Sequence, residues 1–360
     1  MTDRRMKVAG ITMEEREEYA HARPHTHAQP HAKWECSTRA ALCLVLFLAV
    51  GRSFAAEEPA PDRPVMILVV GAAGAEEFGA AFGQWADRWQ EAAAQAGVDC
   101  TRLGNDEAKE PDHGRLRAAI EGVRRDGDSP LWLVLIGHGT FDGRTAKFNL
   151  RGPDLAAADL AAWLESVSRP TIVIDCAAAS APFLNALSRA NRVVLTATKS
   201  GHEQNYARFG DYLSKAIVDP AADLDRDGQT SLLEAFLKAA RGTAEFYEQD
   251  GRLATETALL DDNGDGRGTP AAWYRGTRVV RSAADGAAAD GLRSHQIHLL
   301  PSQEEQHLSA EMRARRDELE RAIAELWAKK KGDLGEDEYY AQLEPLLVEL
   351  ARLYATPTEP

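Results

Sequence analysis

Strand-length apolar segments alternate with amphipathic segments of helical periodicity from residue 64 to residue 198. The run at residues 131–136 is apolar at every position, which predicts a strand buried on both faces of a sheet. Aromatic side chains recur at three- and four-residue spacing between residues 76 and 96, so this helix is expected to turn one face to the sheet. The alternation predicts right-handed crossovers and a parallel sheet covered by helices on both faces. The predicted strands are 64–71, 98–103, 131–136, 170–176 and 192–198, and the predicted helices are 76–96, 113–125, 155–167 and 182–188.

The pattern changes after Ile217, where acidic turns replace the alternation. Two long helices close the chain, from Glu304 to Lys330 and from Glu336 to Tyr354, and they predict a hairpin that packs on itself, on the α/β domain or on a protein partner. The sequence therefore divides into an N-terminal extension with a signal peptide (1–56), an α/β domain (63–218), a helical extension with an acidic loop (219–282) and a C-terminal helical hairpin (293–356).

The most apolar run of the chain is Ala40–Val50. It is shorter than the roughly 20 residues that a membrane-spanning helix needs. Lys33 and Arg39 precede it, and the small residues of Ser53–Ala56 follow at the spacing of a cleavage site. These features predict a signal peptide, so the protein is expected to be exported (periplasmic or secreted) and to have no membrane contact after cleavage. An uncleaved membrane anchor is the alternative.

Acidic residues outnumber basic ones, 56 to 42, and the formal net charge is −14. This balance argues against a general binder of nucleic acid or anionic membranes, and it suits a protein that holds cations. The four cysteines include no Cys-x-x-Cys pair, so neither a zinc ribbon nor a disulfide framework is indicated.

Residues 223–234 fit the twelve-residue calcium loop of EF-hands. Carboxylates alternate at its start, a glycine stands at the sixth position and a glutamate closes the loop at the twelfth. The sequence predicts one Ca²⁺ site, with Asp223, Asp225, Asp227, Gln229 and Glu234 as its ligands. Thr230 stands where EF-hands usually carry an aliphatic residue that pairs with a second loop, which indicates a solitary site. A solvated acidic loop without a metal is the alternative.

A second acidic turn, Asp261–Asp265, has the first half of such a loop. Ala272 stands where the closing glutamate would be. The turn is therefore either a second, weaker Ca²⁺ site or an ordinary acidic turn.

Three segments of the α/β domain carry a family likeness. They are His138-Gly139 after one apolar strand, Ile174-Asp175 followed by small residues and Ser180 after the next, and Thr196-Ala197 with Glu203–Ala207 and Gly210–Tyr212 after the third. In this order they resemble the legumain and caspase group of cysteine peptidases, in which His-Gly closes one strand and the nucleophilic cysteine closes the next. The resemblance covers roughly residues 64–217 and implies a caspase/legumain-like α/β fold, a three-layer sandwich with a mainly parallel sheet.

The resemblance also implies a chemistry. In this group a thiolate attacks the peptide carbonyl, a histidine gives a proton to the leaving amine, and backbone N–H groups stabilise the oxyanion. His138 matches the histidine, Gly139 matches the N–H donor, and Cys176 is the candidate nucleophile. The segment that resembles the wall of the substrate pocket contains Glu203, Asn205 and Asp211. The implied ligand is a peptide or a protein.

Cys176 does not fall where the pattern of the group places its nucleophile. Aligned on the strand, the cysteine position falls on Ala177, and aligned backward from Ser180 it falls on Ala178. A shift of one residue at a strand end turns a side chain to the opposite face, unless a bulge re-aims it. Three hypotheses follow: a peptidase homologue with impaired or absent activity, an active cysteine endopeptidase using His138 and Cys176, and a non-catalytic peptide-binding or structural envelope protein.

Overall fold

The computed structural model describes residues 62–104, 106, 108–281, 283, 288–330 and 334–355. The predicted N-terminal extension and signal peptide (1–56) lie outside the described residues. The strands are β1 (Val65–Val70), β2 (Asp99–Leu103), β3 (Leu131–Ile136), β4 (Gly139–Phe141), β5 (Ala146–Phe148), β6 (Leu155–Ala156), β7 (Thr171–Asp175), β8 (Arg192–Thr196), β9 (Leu259–Asp261), β10 (Thr269–Pro270), β11 (Tyr274–Arg275) and β12 (Arg278–Val279). The helices are α1 (Glu76–Gln95), α2 (Asp112–Gly122), α3 (Ala157–Trp163), α4 (Ala181–Leu187), α5 (Phe209–Ala216), α6 (Leu232–Gln249), α7 (Leu292–His295), α8 (Gln303–His307), α9 (Ala310–Lys330) and α10 (Glu336–Ala355).

The central sheet has the strand order β10-β9-β8-β7-β3-β1-β2. Five strands of this sheet, β2, β1, β3, β7 and β8, pair in parallel. β9 pairs with β8 in antiparallel orientation, and β10 pairs with β9 in the same way. Strand β3 lies near the middle and all six of its residues are buried. The predicted strands and their crossover helices are thus confirmed, and the sheet is mainly parallel.

Helices cover both faces of this sheet. One face packs against α1, α5 and α6 in a core that includes Phe82, Trp85 and Phe236. The other face packs against α2, α3 and α4, together with a small antiparallel sheet of β4, β5 and β6. The predicted α/β fold class, a three-layer sandwich around a mainly parallel sheet, is confirmed.

Residues 219–282, which the sequence places outside the α/β domain, contribute to its sheet and to its core. β9 pairs with β8, and Leu260 of β9 is fully buried. Leu232 and Phe236 of α6 are also fully buried in the core beside α1 and α5. The segment therefore packs as part of the α/β domain. Without it, β8 would be an open edge of the sheet.

The predicted helical hairpin is formed by α9 and α10. Leu319 and Leu326 of α9 and Tyr339 of α10 are buried, while much of the remaining surface of both helices is exposed. Among the described residues, no helix is both long enough and apolar enough to cross a membrane.

Candidate active site

His138 lies directly after β3, at the carboxyl edge of the central sheet, where open α/β sheets place their sites. The glycines on both sides of it are required by close packing. A Cβ on Gly139 would lie 2.0 Å from the carbonyl oxygen of Ala178, and a Cβ on Gly137 would lie 2.9 Å from the ring of Phe148. The glycines therefore let the chain pass between β5 and the turn that follows β7.

The imidazole of His138 is held in a defined orientation. Its Nε2 lies 3.1 Å from the carbonyl oxygen of Ala73, in the turn after β1. Because a carbonyl oxygen only accepts, Nε2 donates in this contact, and in the neutral imidazole this leaves the lone pair on Nδ1. The rings of Phe78 and Phe82 lie edge-on to it, with centroids 4.8 and 5.0 Å away. A histidine fixed in this way can exchange a proton through Nδ1.

Cys176 follows the last residue of β7, and its side chain is fully buried. Its N–H donates to the carbonyl of Leu135 on β3 at 2.9 Å. The thiol packs against α5, because a Cβ on Gly210 would lie 2.7 Å from Cys176 Cβ and 3.0 Å from its Sγ. Burial raises the pKa of this thiol far above its ordinary value, and the nearby carboxylates of Asp175 and Glu256 add to the effect. Such a thiol remains protonated, and the protonated form is a poor nucleophile.

His138 and Cys176 follow neighbouring parallel strands, and among the described residues no hydrogen bond joins their side chains. Leu135 pairs with Asp175, so Cys176 stands one position further along its strand than this pair, and His138 stands three positions further along β3. Within the described part of the chain, Cys176 Sγ donates no hydrogen bond, and the imidazole bonds Ala73 instead. The structure therefore brings the two residues to the same edge without joining them as an acid–base pair.

The turn after Cys176 is closed from solvent. Ala177, Ala178 and Ala179 are 1, 3 and 1% exposed, and Ala179 has a φ of 54°, which a residue with a side chain rarely adopts. The N–H of Ala179 donates to the carbonyl of Glu203 at 2.8 Å. The Ala178 carbonyl and the methyl group of Ala177 thus pack against Gly139, beneath the segment that carries His138.

Two polar side chains at this turn are also buried. The hydroxyl of Ser180 lies 3.1 Å from that of Thr198, and the Ser180 N–H donates to the same Thr198 oxygen. Asp175 is 1% exposed, and its Oδ1 accepts a hydrogen bond from the Ala177 N–H. Its Oδ2 is buried without a partner among the described residues, and burial raises its pKa to about 7. The site therefore contains a buried carboxyl group with no cationic partner in the part of the chain that the structure describes.

The predicted substrate-binding residues lie in the loop and helix after β8. Glu203 is half-buried, and its Oε2 accepts hydrogen bonds from the N–H groups of Lys199 and Thr257. Asn205 is exposed at the surface. The Glu203 side chain thus connects its own loop to the segment before β9 through hydrogen bonds, whereas Asn205 is accessible to a ligand.

Asp211 forms ion pairs that join two helices. Its carboxylate bonds Arg88 of α1 at 2.9 Å and Lys215 of α5 at 2.7 Å. The Arg88 guanidinium also donates to Ser214. These contacts join α1 to α5, so both oxygens of Asp211 already have cationic partners.

The acidic loop at residues 223–234 brings together some of its predicted Ca²⁺ ligands. One carboxylate oxygen each from Asp223, Asp225 and Asp227 lie within 4.8 Å of one another. Glu234 is buried at the start of α6 and forms a capping box with Ser231. Its other oxygen accepts hydrogen bonds from the N–H groups of residues 224 and 225. The three aspartates are therefore grouped, while the glutamate holds the loop to the helix.

Gln229 lies at the rim of the same loop. Its N–H and its side-chain amide both donate to Asp227, at 3.0 Å, and its amide oxygen accepts from the N–H of Ser302. Its side chain therefore contacts the loop and the segment before α8.

The second acidic turn is organised by backbone hydrogen bonds. The oxygens of Asp261 accept from the N–H groups of Gly264 and Gly266, both at 3.0 Å. The neighbouring Asp262 accepts from Gly291 and Ser294 at the start of α7. Within the described residues this turn joins no cluster of three metal-ligating side chains.

Two contacts next to the candidate sites, one made by Glu256 and one by His295, could not be predicted from the sequence. Glu256 is buried, and its carboxylate accepts hydrogen bonds from the N–H groups of Arg208 and Phe209 at the start of α5. His295 of α7 contacts Asp225 of the acidic loop, with Nε2 and Oδ2 2.7 Å apart. Both contacts join residues 47 or more positions apart, and no short-range pattern marks them.

A cavity of about 900 Å³ lies between α5, α6 and the segment 254–276. Its wall is mainly apolar and includes Ala216, Leu237, Ala258 and Tyr274. His138, Cys176 and Asn205 are not part of this wall. The cavity thus excludes the histidine, although Ala197, directly after β8 at the carboxyl edge of the same sheet, is part of its wall.

No protein-family model and no curated protein match this chain in sequence. Many solved structures are similar to it in the course of the backbone, and three of them are described here. The initiator caspase Dronc of Drosophila has a TM-score of 0.40 and 14% identity, over 57% of this chain and 81% of the caspase. Caspase-1 of Spodoptera frugiperda has a TM-score of 0.37 and 11% identity, over 56% of this chain and 86% of the caspase.

The third structure is a protein of Geobacter sulfurreducens, with a TM-score of 0.35 and 10% identity over 56% of this chain and 93% of its own. Two of these structures are caspases, and the similarity lies in the course of the backbone alone. At these TM-scores and identities it carries no argument about activity, and the chemistry has to be judged from the side chains.

Proposed function

We propose that this protein is an exported homologue of the legumain and caspase peptidases that binds peptide segments without cleaving them through Cys176. The observation that carries the proposal is the complete burial of the Cys176 thiol, which packs against Gly210. A nucleophilic thiol has to be ionised and has to reach the substrate carbonyl. A thiol that is 0% exposed and whose pKa is raised by burial meets neither requirement.

The histidine supports descent from a catalytic site. His138 keeps a carbonyl acceptor on Nε2, and its ring is supported by Phe78 and Phe82. This arrangement presents Nδ1 for proton transfer, which is the role of a general acid or base. The partner position, however, carries a methyl group in either register, that of Ala177 or that of Ala178. A site with an oriented histidine and no reachable thiol can hold a peptide but lacks the nucleophile.

Exposed polar groups near this edge can form hydrogen bonds to a peptide backbone. Thr140 of β4 and Asn205 of the following loop are exposed, and Gln204 reaches the carbonyl of Phe141 from the same loop. Backbone hydrogen bonds with a few side-chain contacts are a common mode of peptide recognition. We therefore assign peptide recognition to the surface formed by Thr140, Gln204 and Asn205.

Thiol labelling tests the absence of catalysis. A peptidyl acyloxymethyl ketone, which alkylates catalytic thiols, is expected to leave the native protein unmodified by intact mass. Iodoacetamide in urea should then modify Cys176, which shows that the thiol is present and only shielded. Stoichiometric labelling of native protein at Cys176, lost in His138→Ala, would establish the active endopeptidase instead.

Peptide binding is tested with a library of fluorescent peptides. Saturable binding is expected, with each peptide recovered intact after prolonged incubation. Asn205→Ala should weaken the binding at unchanged melting temperature, whereas Gln84→Ala, an exposed amide on α1, should leave it unchanged. Failure to bind any member of the library would count against peptide recognition, and a structural envelope protein would be favoured if thiol labelling also failed.

A second function, Ca²⁺ binding, is favoured by the grouping of the three aspartates in the acidic loop. Their carboxylate oxygens lie within 4.8 Å of one another, and hard oxygen ligands at this spacing suit Ca²⁺. Asp223, Asp225 and Asp227 would hold the ion together with the Gln229 carbonyl and Glu234. Bound Ca²⁺ would supply positive charge that neutralises the loop and raises the stability of the folded state.

Calorimetry tests this second function. Ca²⁺ should raise the melting temperature of the protein and release heat on titration, and Asp223→Ala should remove both effects. Asp99→Ala, an exposed aspartate on β2, is the matched control and should retain them. An equal Ca²⁺ effect in Asp223→Ala would reject this loop as the site.

The proposed export rests on the apolar run at residues 40–50 and on the residues around it. Fusion of residues 1–60 to alkaline phosphatase, which is active only outside the bacterial cytoplasm, is expected to give active enzyme. Replacing Leu46 by Arg in the same fusion should abolish the activity, and an active variant would contradict a signal peptide.

A further inference from the structure

The proposed peptide binding makes no use of the cavity between α5, α6 and the segment 254–276. Its volume of about 900 Å³ is at the upper end of the range for pockets that enclose small molecules. Leu237, Ala240 and Ala244 line it from α6 at three- and four-residue spacing, so one face of this helix turns to the cavity. Another alanine, Ala258, lines it from the segment before β9. Small apolar side chains in the wall thus leave room for an apolar molecule.

The cavity is elongated along α6. Its wall includes residues of this helix from Leu237 to Glu245, a stretch of about 12 Å at the helical rise per residue. From α5 it includes Phe209 and Ala216, the first and last residues of that helix, and both are buried. A long cavity with a mainly apolar wall suits a linear hydrocarbon chain.

Three cationic side chains mark the place where the cavity opens to solvent. Lys215, Lys238 and Arg241 belong to its wall. Their side chains are 52, 34 and 81% exposed, whereas the apolar residues of α5 in the wall are buried. These three residues therefore define a cationic mouth.

The ion pairs of the mouth contain more cations than carboxylates. The pairs are Lys215 with Asp211, Lys238 with Asp219, and Arg241 with Glu245. Arg88 of α1 also pairs with Asp211, so among these paired groups four cations face three carboxylates. The whole chain has a net charge of −14, so the excess at the mouth is opposite in sign to the charge of the protein. It is complementary to a ligand with one anionic group.

The buried carboxylate of the wall, Glu256, lies away from the mouth. It accepts hydrogen bonds from the N–H groups of Arg208 and Phe209 at the start of α5, whereas Lys215 lies in the last turn of that helix. Six residues of helix separate Phe209 from Lys215, which is about 9 Å along the axis. An anionic group held at the mouth therefore does not meet Glu256.

We propose that this cavity binds an amphiphilic carboxylate, a linear hydrocarbon chain that ends in one carboxylate group. The chain lies along α6, and the carboxylate lies at Lys215, Lys238 and Arg241. Exposed ion pairs contribute little to stability, so these cations can turn to a bound carboxylate at small cost. The transfer of the hydrocarbon chain from water to the apolar wall provides most of the affinity.

Isothermal titration calorimetry with decanoate, below its micelle concentration, tests the site. Saturable binding of one molecule per chain is expected. Decyltrimethylammonium has the same chain and a positive head group, so it should bind more weakly, although the net charge of the protein favours a cation. The absence of saturable decanoate binding, or an equal affinity for the cationic amphiphile, would overturn the proposal.

Substitutions in the wall and at the mouth locate the ligand. Ala240→Phe fills part of the cavity and should raise the dissociation constant of decanoate about tenfold or more, because less hydrocarbon is then buried. Ala94→Phe, at an exposed position of α1, should leave it unchanged. Lys215→Gln combined with Arg241→Gln should raise it about threefold, the size expected of exposed charge pairs, and Lys109→Gln, at another exposed position, should not.

The melting temperatures of these variants show whether each is folded, and the mouth variant changes only exposed side chains. Unchanged decanoate affinity in folded Ala240→Phe would place the ligand elsewhere and overturn the proposal.

Sedimentation with vesicles of phosphatidylglycerol and phosphatidylcholine separates a free carboxylate from a lipid in a bilayer. The protein is expected to stay in the supernatant, because its net charge of −14 repels an anionic surface. Cosedimentation that is lost in Ala240→Phe would assign the cavity to a membrane lipid and contradict the proposed ligand.

Discussion

The thiol of Cys176 occupies the space that Gly210 leaves open at the start of α5, with only 3.0 Å between its Sγ and a Cβ built on Gly210. The same Cβ would lie 2.9 Å from the ring of Trp85. Gly210→Ala is therefore expected to destabilise the protein by about 1–3 kcal/mol, the usual cost of overpacking a core. The free energy of unfolding from urea titrations measures the effect.

Gly114→Ala is the matched control for this substitution. Gly114 lies inside α2, and a Cβ there would have no heavy atom within 4 Å. Because alanine is the better helix former by up to about 1 kcal/mol, this variant should be as stable as the original protein or more stable. A Gly210→Ala variant of unchanged stability would mean that Cys176 can move away from α5, and the active-thiol hypothesis would regain support.

The buried carboxyl group of Asp175 predicts a dependence of stability on pH. Burial raises its pKa from 3.8 to about 7, so the folded protein holds the proton more tightly than the unfolded chain. Stability from this group is therefore full at pH values below 3.8 and is lost as pH rises towards 7. Asp175→Asn removes the titration, so the melting temperature of the variant relative to the original protein should rise between pH 4 and pH 7.

The expected change is several degrees, since 1 kcal/mol shifts the melting temperature of a domain of this size by about 2–4 °C. Asp99→Asn, at an exposed position on β2, should show no comparable trend. A difference between Asp175→Asn and the original protein that stays constant with pH would show that the Asp175 carboxyl is ionised in the folded state.

Glu256 satisfies the backbone at the start of α5. Its carboxylate accepts hydrogen bonds from the N–H groups of Arg208 and Phe209 and from the hydroxyl of Tyr247. Glu256→Ala leaves these buried donors without a partner, which costs about 1–3 kcal/mol. Glu256→Gln retains one acceptor oxygen and should lose less. Denaturant titrations check both variants, and Glu248→Ala, at an exposed position of α6, should be close to neutral.

Much of the central sheet could be predicted from sequence because its signals are local. The uniformly apolar segment at 131–136 and the glycines around His138 mark a buried strand and a sharp turn without reference to distant residues. The three-residue strands β4 and β9 could not be predicted in the same way, because segments that short have no detectable period. Their existence depends on pairing with β5 and β8.

The arrangement of the candidate site was less predictable. The register of the strand end indicated that Cys176 was displaced from the nucleophile position, but its burial depends on Gly210, which lies 34 residues later in the chain and packs against it only in the folded state. The acidic loop was recognisable from its spacing. Its contact with His295 depends on α7, 70 residues away, and has no local signal.

The dependence of the sheet on later residues predicts how the chain can be shortened. A fragment of residues 59–218, close to the α/β domain defined by sequence, should fail to fold, because it lacks β9, the Glu256 cap of α5 and the fully buried Phe236. A fragment of residues 59–302 retains all three and should unfold cooperatively on heating. Circular dichroism distinguishes the two, since the shorter fragment should show no cooperative transition. A cooperative transition in the shorter fragment would show that residues 219–302 form a separate domain that the sheet does not need.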